Sequence, residues 1–187
     1  MYQRFNKKGN QKVKNASKVD EFGNKIENLK EFLIKNPGAR YYDSMIEYKF
    51  SEAIKDAELD HLMKEKVKIE ISPGFKYFDK NHNAVTWEYD FGFPDLNIVL
   101  DTKGYPTETF KMKYRMIVWY YLSSFKTVPY ILFVKNQKSI PNAVHFIKKC
   151  SKGDVDQELL KSFLFHNVFG KKRTKNGKGT NKKSDKK

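Results

Sequence analysis

Apolar positions recur along the chain at two different periods, and the changes of period divide it into elements. Over residues 24–35, Ile26, Leu29, Phe32 and Leu33 fall at helical spacing, and Asn36-Pro37-Gly38 ends the run. A longer helix is predicted over 44–64, with Ile46, Phe50, Ala53, Ile54, Ala57 and Leu62 largely on one stripe. The period then drops to two, as Val67, Ile69 and Ile71 alternate with charged residues in a strand-like stretch. Pro73-Gly74 interrupts it before Phe75, Tyr77 and Phe78, and 79–83 is a polar turn. Two strands follow, Val85–Phe93 and 98–103, joined by Pro94-Asp95-Leu96-Asn97. Proline presets φ there and aspartate accepts the turn hydrogen bonds. Ile98-Val99-Leu100 suits a strand buried on both faces. Thr107 can cap a helix reaching about residue 123, with Met112, Met116, Trp119 and Tyr120 on its inner stripe. A buried strand over 129–134, an ambiguous strand or short helix over 143–148 and an amphipathic helix over 154–165 complete the pattern. Helix, three strands, helix and strand, with additions at both ends, predict an α/β sandwich about a mixed sheet.

Composition fits one domain: 187 residues, 39% hydrophobic and 15% aromatic, are enough for a real core. Charge changes the picture more. The formal net charge is +15, but residues 1–18 hold six basic residues and no acid, and 171–187 hold nine basic residues and only Asp185 as an acid. Residues 19–170 are therefore almost neutral. The expectation is a domain over 19–170 flanked by basic disordered arms, 1–18 and 171–187, rich in Asn, Gly and Lys. Such arms are either solubilising ends or flexible phosphate contacts, and a basic chain favours a polyanionic partner, most simply nucleic acid. Gly177-Lys178-Gly179-Thr180 lacks the strand and residue order of a phosphate loop. The single Cys150 excludes an internal disulfide framework and a Cys-based zinc site, and reads as an incidental thiol. The apolar runs are too short to span a bilayer and the N-terminus resembles no signal peptide, so the expected location is cytoplasmic, with no membrane partner.

Among residues able to do chemistry, His61, His82, His145 and His166 fall in no ligand spacing, and no Gly-x-Ser-x-Gly elbow occurs. What remains is Asp101-Thr102-Lys103 before Gly104. Acid-x-Lys triplets are common in so lysine-rich a chain, but this one ends a buried strand, where two charges are costly unless paired or bound to an ion. If Phe93 faces Ile98 across the turn, Asp90 falls opposite Asp101. Two opposed carboxylates repel unless a cation lies between them, which points to a hard ion such as Mg²⁺, with Mn²⁺ as a substitute. Asp95 sits in the turn and needs no function. Glu47 completes a Ser44-x-x-Glu47 capping box, yet its helix must pack on the sheet to bury Ile46 and Phe50, which can bring it near the strand ends. Glu70 reads as a solvated charge. Lys111, Lys113 and Arg115 are either a solvated face or, close to an anionic site, phosphate contacts.

Glu47 on a helix, Asp90 on a strand, Asp101-x-Lys103 ending the next strand and Lys111 and Lys113 on the following helix resemble the PD-(D/E)xK nuclease superfamily. The closer similarity is to a phage-associated family of small nucleases of the Holliday-junction-resolvase kind. Ser44 to Glu47, Glu88-Tyr89-Asp90-Phe91, Asp101-Thr102-Lys103-Gly104 and Phe110-Lys111-Met112-Lys113 carry that similarity, over about residues 40–135. Many members have glutamate where this chain has Asp101. The resemblance implies a restriction-endonuclease-like αβββαβ core with a mixed central sheet and extra terminal helices. It also implies Mg²⁺-dependent hydrolysis of DNA phosphodiester bonds, with Glu47, Asp90, Asp101 and the Thr102 carbonyl as metal ligands. Lys103 would orient or deprotonate the attacking water or stabilise the transition state. Branched DNA cut by a homodimer is the leading expectation, with Trp119-Tyr120-Tyr121 offering an interface. Other DNA substrates, or nucleic-acid binding without catalysis, are the alternatives.

Overall fold

In the computed structural model, which describes residues 17–72, 85–102, 106–125 and 128–169, short strands β1 (Val19–Asp20) and β2 (Tyr41–Tyr42) pair on either side of helix α1 (Leu29–Lys35). Helix α2 (Met45–Asp56) leads into strands β3 (Lys64–Ser72), β4 (Val85–Phe93) and β5 (Ile98–Thr102). Helix α3 (Glu108–Phe125) then crosses to β6 (Tyr130–Val134), followed by α4 (Ile140–Cys150), α5 (Gln157–Phe163) and α6 (Phe165–Phe169). The mixed four-stranded sheet runs β3-β4-β5-β6, antiparallel for the first two pairings and parallel for the last. Most of both basic arms, the aromatic residues Phe75, Tyr77 and Phe78, the turn over 79–83, and Lys103 lie outside the described residues, as does the side chain of Glu70.

Helices cover the sheet on both faces. On one, Phe50 and Ile54 of α2 meet Phe91, Phe93, Ile98, Leu100, Leu132 and Val134, joined by Phe146 and Ile147 of α4 and Phe163 of α5. On the other, Phe110 and Ile117 of α3 meet Trp87, Tyr89, Val99, Ile131 and Phe133, with Phe165 and Phe169 of α6 alongside. β5 and β6 alternate strictly between the two cores, so their near-continuous apolar runs are what burial on both faces demands. Phe93 faces Ile98 across the turn, as that turn's chemistry predicts.

Several element boundaries differ from the periodic expectation. α1 starts at Leu29, not residue 24, because the Asn28 side chain caps it and Lys25 is drawn into a bridge with Val19. α2 ends at Asp56 instead of reaching Lys64. Glu58, at φ 60°, takes the left-handed position, and the Glu58 and Leu59 amides return to the Lys55 and Ile54 carbonyls at 2.8 and 3.0 Å. That is a Schellman stop, with glutamate where glycine is usual. The ambiguous 143–148 lies within α4, burying Ile140, Ala143, Phe146 and Ile147. The last predicted helix splits in two at Leu164, whose backbone is extended. The inner stripe of α3 is half corrected: Met116 and Tyr120 pack on the core as expected, but Met112 is 64% and Trp119 68% exposed, and Phe110 and Ile117 are buried instead. From Met116 onward α3 is apolar on most sides, so its periodicity admits more than one inner face.

Candidate functional site

β3 and β4 change layers half-way along. Trp87 and Tyr89 pack toward α3, and the Tyr89 hydroxyl lies 3.0 Å from that of Tyr121. Two residues later Phe91 packs against Phe50 of α2, with ring centroids 4.8 Å apart and the rings tilted. Alternation alone would keep Tyr89 and Phe91 on one face. The switch falls at Asp90 and, on β3, at Lys66, the residue between the pairs Glu65–Phe91 and Val67–Tyr89. Lys66 has φ 51°, a left-handed conformation that is rare for a long side chain. It lets the successive side chains of Glu65 and Lys66 reach the same helix while the strand pairing stays one-for-one. Glu65 meets the Ser51 hydroxyl at 3.2 Å and Lys66 meets Glu47 at 2.9 Å, one turn of α2 apart.

The N-terminus of α2 supplies the carboxylates. Ser44 caps the helix, accepting the Glu47 N–H at 3.2 Å. The Glu47 carboxylate in turn accepts the Asp43 N–H at 3.1 Å, one residue earlier than a regular capping box. The Lys66 ammonium donates to Asp43 Oδ2 and Glu47 Oε2, both at 2.9 Å, and lies 3.6 Å from Asp90 Oδ1. Asp43 also pairs with Lys18. The other oxygen of Asp90, Oδ2, is fixed by the Thr102 N–H at 2.7 Å and its hydroxyl at 2.8 Å. One Asp90 oxygen is thus anchored to the end of β5 and the other turns toward the positive charge. A shallow cleft of about 360 Å³, lined by Arg40, Asp43, Glu65, Lys66 and Glu88 among others, opens beside the group.

The electrostatics follow from this packing. Burial pushes the Glu47 carboxyl above the usual glutamate value, the Asp90 charge adds to the rise, and Lys66 opposes it. Burial works against the Asp43 carboxylate, yet the hydrogen bonds from Lys18 and Lys66 hold it below the usual aspartate range. Burial also works against the Lys66 ammonium, but its bonds to Asp43 and Glu47 hold its pKa above the ordinary lysine value. Lys66 is charged at neutral pH.

Glu47 and Asp90 are therefore brought to a shared cation. Asp101 is buried, 2% exposed, and pairs in register with Phe133 of β6. Extending the hairpin register sets Asp90 opposite Asp101, but the ladder ends at Phe91–Leu100, where Asp90 turns to the Thr102 amide. Thr102 serves as a donor to Asp90, a role that its sequence position does not suggest. Asp95 is exposed in the turn Pro94–Leu96. On α3, Lys111 pairs with Glu108, Lys113 reaches the Thr86 carbonyl at 3.3 Å, and Arg115 is exposed. Burial pushes the Cys150 thiol up, with Asp154 adding to it, as suits an unreactive cysteine.

Asp43 and Lys66 are the members that sequence reasoning missed. Lys66 alternates onto the polar side of a strand pattern, and no residue around it announces a left-handed backbone. Among the described residues no group of three or more His, Cys, Asp and Glu side chains is arranged to hold a metal ion as it stands. The donor chemistry still fits a hard divalent ion, since carboxylate oxygens of Glu47 and Asp90 already face one positive charge. Among the described residues no helix is long and apolar enough to cross a membrane. In comparisons with known proteins, no family model, no curated protein and no solved structure matches the chain.

Proposed function

We propose that the chain is a Mg²⁺-dependent DNA endonuclease, acting on branched DNA, whose metal ion is held by Glu47, Asp90 and Asp101. The observation that carries this reading is the convergence of Glu47 and Asp90 on one cation, at 2.9 and 3.6 Å, with Asp90 bonded to Thr102 at the end of β5, next to Asp101. Further support comes from the element order α2-β3-β4-β5-α3-β6, the αβββαβ succession implied by the resemblance to PD-(D/E)xK nucleases. A bound Mg²⁺ would lower the pKa of a water and neutralise charge building on the scissile phosphate. The chain's own contribution is to aim oxygens: Thr102 clamps Asp90 Oδ2 so that Oδ1 points into the cluster, and the Asp43 amide orients Glu47. Lys103 would act on the water or on the transition state, and the basic arms would add phosphate contacts.

A second reading rests on one observation: the ion pairs of Lys66 already satisfy the carboxylates, as in a structural charge cluster. The chain would then bind nucleic acid through its arms without cleaving it. Linear, nicked, flapped and four-way DNA incubated with EDTA-stripped protein, with and without Mg²⁺, separates the two. The nuclease reading expects metal-dependent cuts in four-way DNA and at least about 10²-fold loss in Asp101→Asn. Turnover in EDTA, or a fully active Asp101→Asn protein, would sink it.

A further inference from the structure

We propose that a second copy of the chain covers the outer face of α3, the two helices packing antiparallel about a two-fold axis. The inference stands apart from the nuclease reading and holds whether or not the chain cleaves DNA. α3 turns Phe110 and Ile117 toward the sheet, and Met116, Tyr120 and Tyr121 pack on the same core. Met112, Arg115, Trp119 and Leu122 are left outside, and all four are exposed. Their spacing of three and four residues sets them in one stripe along the helix. Three of them are large apolar side chains, Met112 at 64%, Trp119 at 68% and Leu122 at 52% exposure. Among the described residues none of these three joins either core. Of Trp119, Tyr120 and Tyr121, only Trp119 is therefore turned toward a partner.

The order of residues along the stripe selects the occupant. With the two-fold axis at the level of Ile117, Met112 faces the partner's Leu122 and Arg115 faces the partner's Trp119. Each pair occurs twice, because such an interface is isologous. Apolar then meets apolar, and a guanidinium meets an indole in a cation–π contact. A parallel pairing would instead set Arg115 against the partner's Arg115. On ordinary side-chain areas the three apolar residues leave about 400 Å² uncovered, the size of the largest patch on a typical monomer. Two copies bring together about 800 Å², and Arg115 with the polar rim raises the total to about 1,200 Å², the lower end for a specific interface. About two-thirds of that area is apolar, as at homodimer interfaces. Such a dimer dissociates in the micromolar range. Most of the net charge of +15 sits in the terminal arms, and salt screens the repulsion between two such chains. The dimer should therefore tighten as salt rises, the opposite of binding to a polyanion.

The test is sedimentation equilibrium of the full chain at micromolar concentrations in about 0.3 M NaCl. Wild type should approach twice the mass of one chain. Leu122→Glu, which circular dichroism should show to be folded, is expected to weaken the dimer at least about tenfold. Adding Met112→Lys to Leu122→Glu should tighten it again by about threefold, because the antiparallel register sets position 112 against the partner's position 122. A wild-type monomer up to about 100 µM, or a dimer indifferent to Leu122→Glu, would overturn the interface. A double variant no tighter than Leu122→Glu would overturn the register. A wild-type monomer whose binding to single-stranded DNA falls on Trp119→Ala would also overturn it, and would assign the face to nucleic acid. None of these results bears on metal-dependent cleavage, so the nuclease reading stands or falls separately.

Discussion

Replacing Asp90 with alanine removes more than a candidate ligand. Its Oδ2 accepts two hydrogen bonds from Thr102, the amide at 2.7 Å and the hydroxyl at 2.8 Å, and Thr102 is only 9% exposed. A hydrogen bond to a charged group contributes about 1.5–3 kcal/mol, and the two here share one oxygen, so they do not add fully. The truncation also leaves the buried Thr102 N–H without an acceptor, a cost of about 1–3 kcal/mol. The expected loss for Asp90→Ala is therefore about 2–4 kcal/mol, read as a lower urea midpoint at unchanged m-value. Asp90→Asn keeps an oxygen for the Thr102 amide and should lose about 1 kcal/mol, and on the proposed nuclease function it should also lose Mg²⁺-dependent cleavage. Thr102→Val removes the hydroxyl alone, and a double-mutant cycle with Asp90→Ala should return a favourable coupling. An Asp90→Ala protein within about 0.5 kcal/mol of wild type would refute the clamp between β4 and β5.

Glu58→Gly should raise thermal stability by up to about 1 kcal/mol, because glycine takes the left-handed stop of α2 without the side-chain clash, less its greater chain entropy; a lowered melting temperature would show that Glu58 is not strained there. Glu47 has a folded-state pKa above its ordinary 4.5, raised by burial and by Asp90 against the pull of Lys66, so the folded state holds the proton to higher pH than the unfolded one. Its charge therefore subtracts stability as pH rises from 4.5 through the raised value, and the stability of wild type relative to Glu47→Gln should fall over that window; a flat or rising difference in urea unfolding would contradict the assignment.

The parts of the fold written most locally are the ones the sequence states. Pro94-Asp95-Leu96-Asn97 specifies the tight turn, and with it the pairing of Phe93 with Ile98, because turn length fixes register. The end of α2 is different. A glutamate at a left-handed stop carries no compositional mark, so the apolar stripe of the sequence runs on to Leu62, which instead belongs to a separate 3-10 turn, Asp60–Leu62. α3 misleads in another way: with Met112 and Trp119 exposed and Phe110 and Ile117 buried, only the neighbouring layers decide which apolar side faces inward. The site divides along the same line. Glu47 and Asp90 stand out as carboxylates in predicted elements, whereas Lys66 joins them through one backbone angle that tertiary packing imposes.

The exchange of layers at Lys66 and Asp90 also sets the order in which the site can exist. Phe91 and Phe93 of β4 lean on the α2 core, whereas Val67, Ile69 and Ile71 of β3 and Trp87 and Tyr89 of β4 lean on the α3 core, so the carboxylates and the ammonium lie on the seam. A partly folded chain with only one core assembled would keep the local contacts of Asp43, Ser44 and Glu47 at the start of α2 but not their meeting with Lys66 and Asp90. Any chemistry performed there would therefore require both layers of the sheet to be assembled.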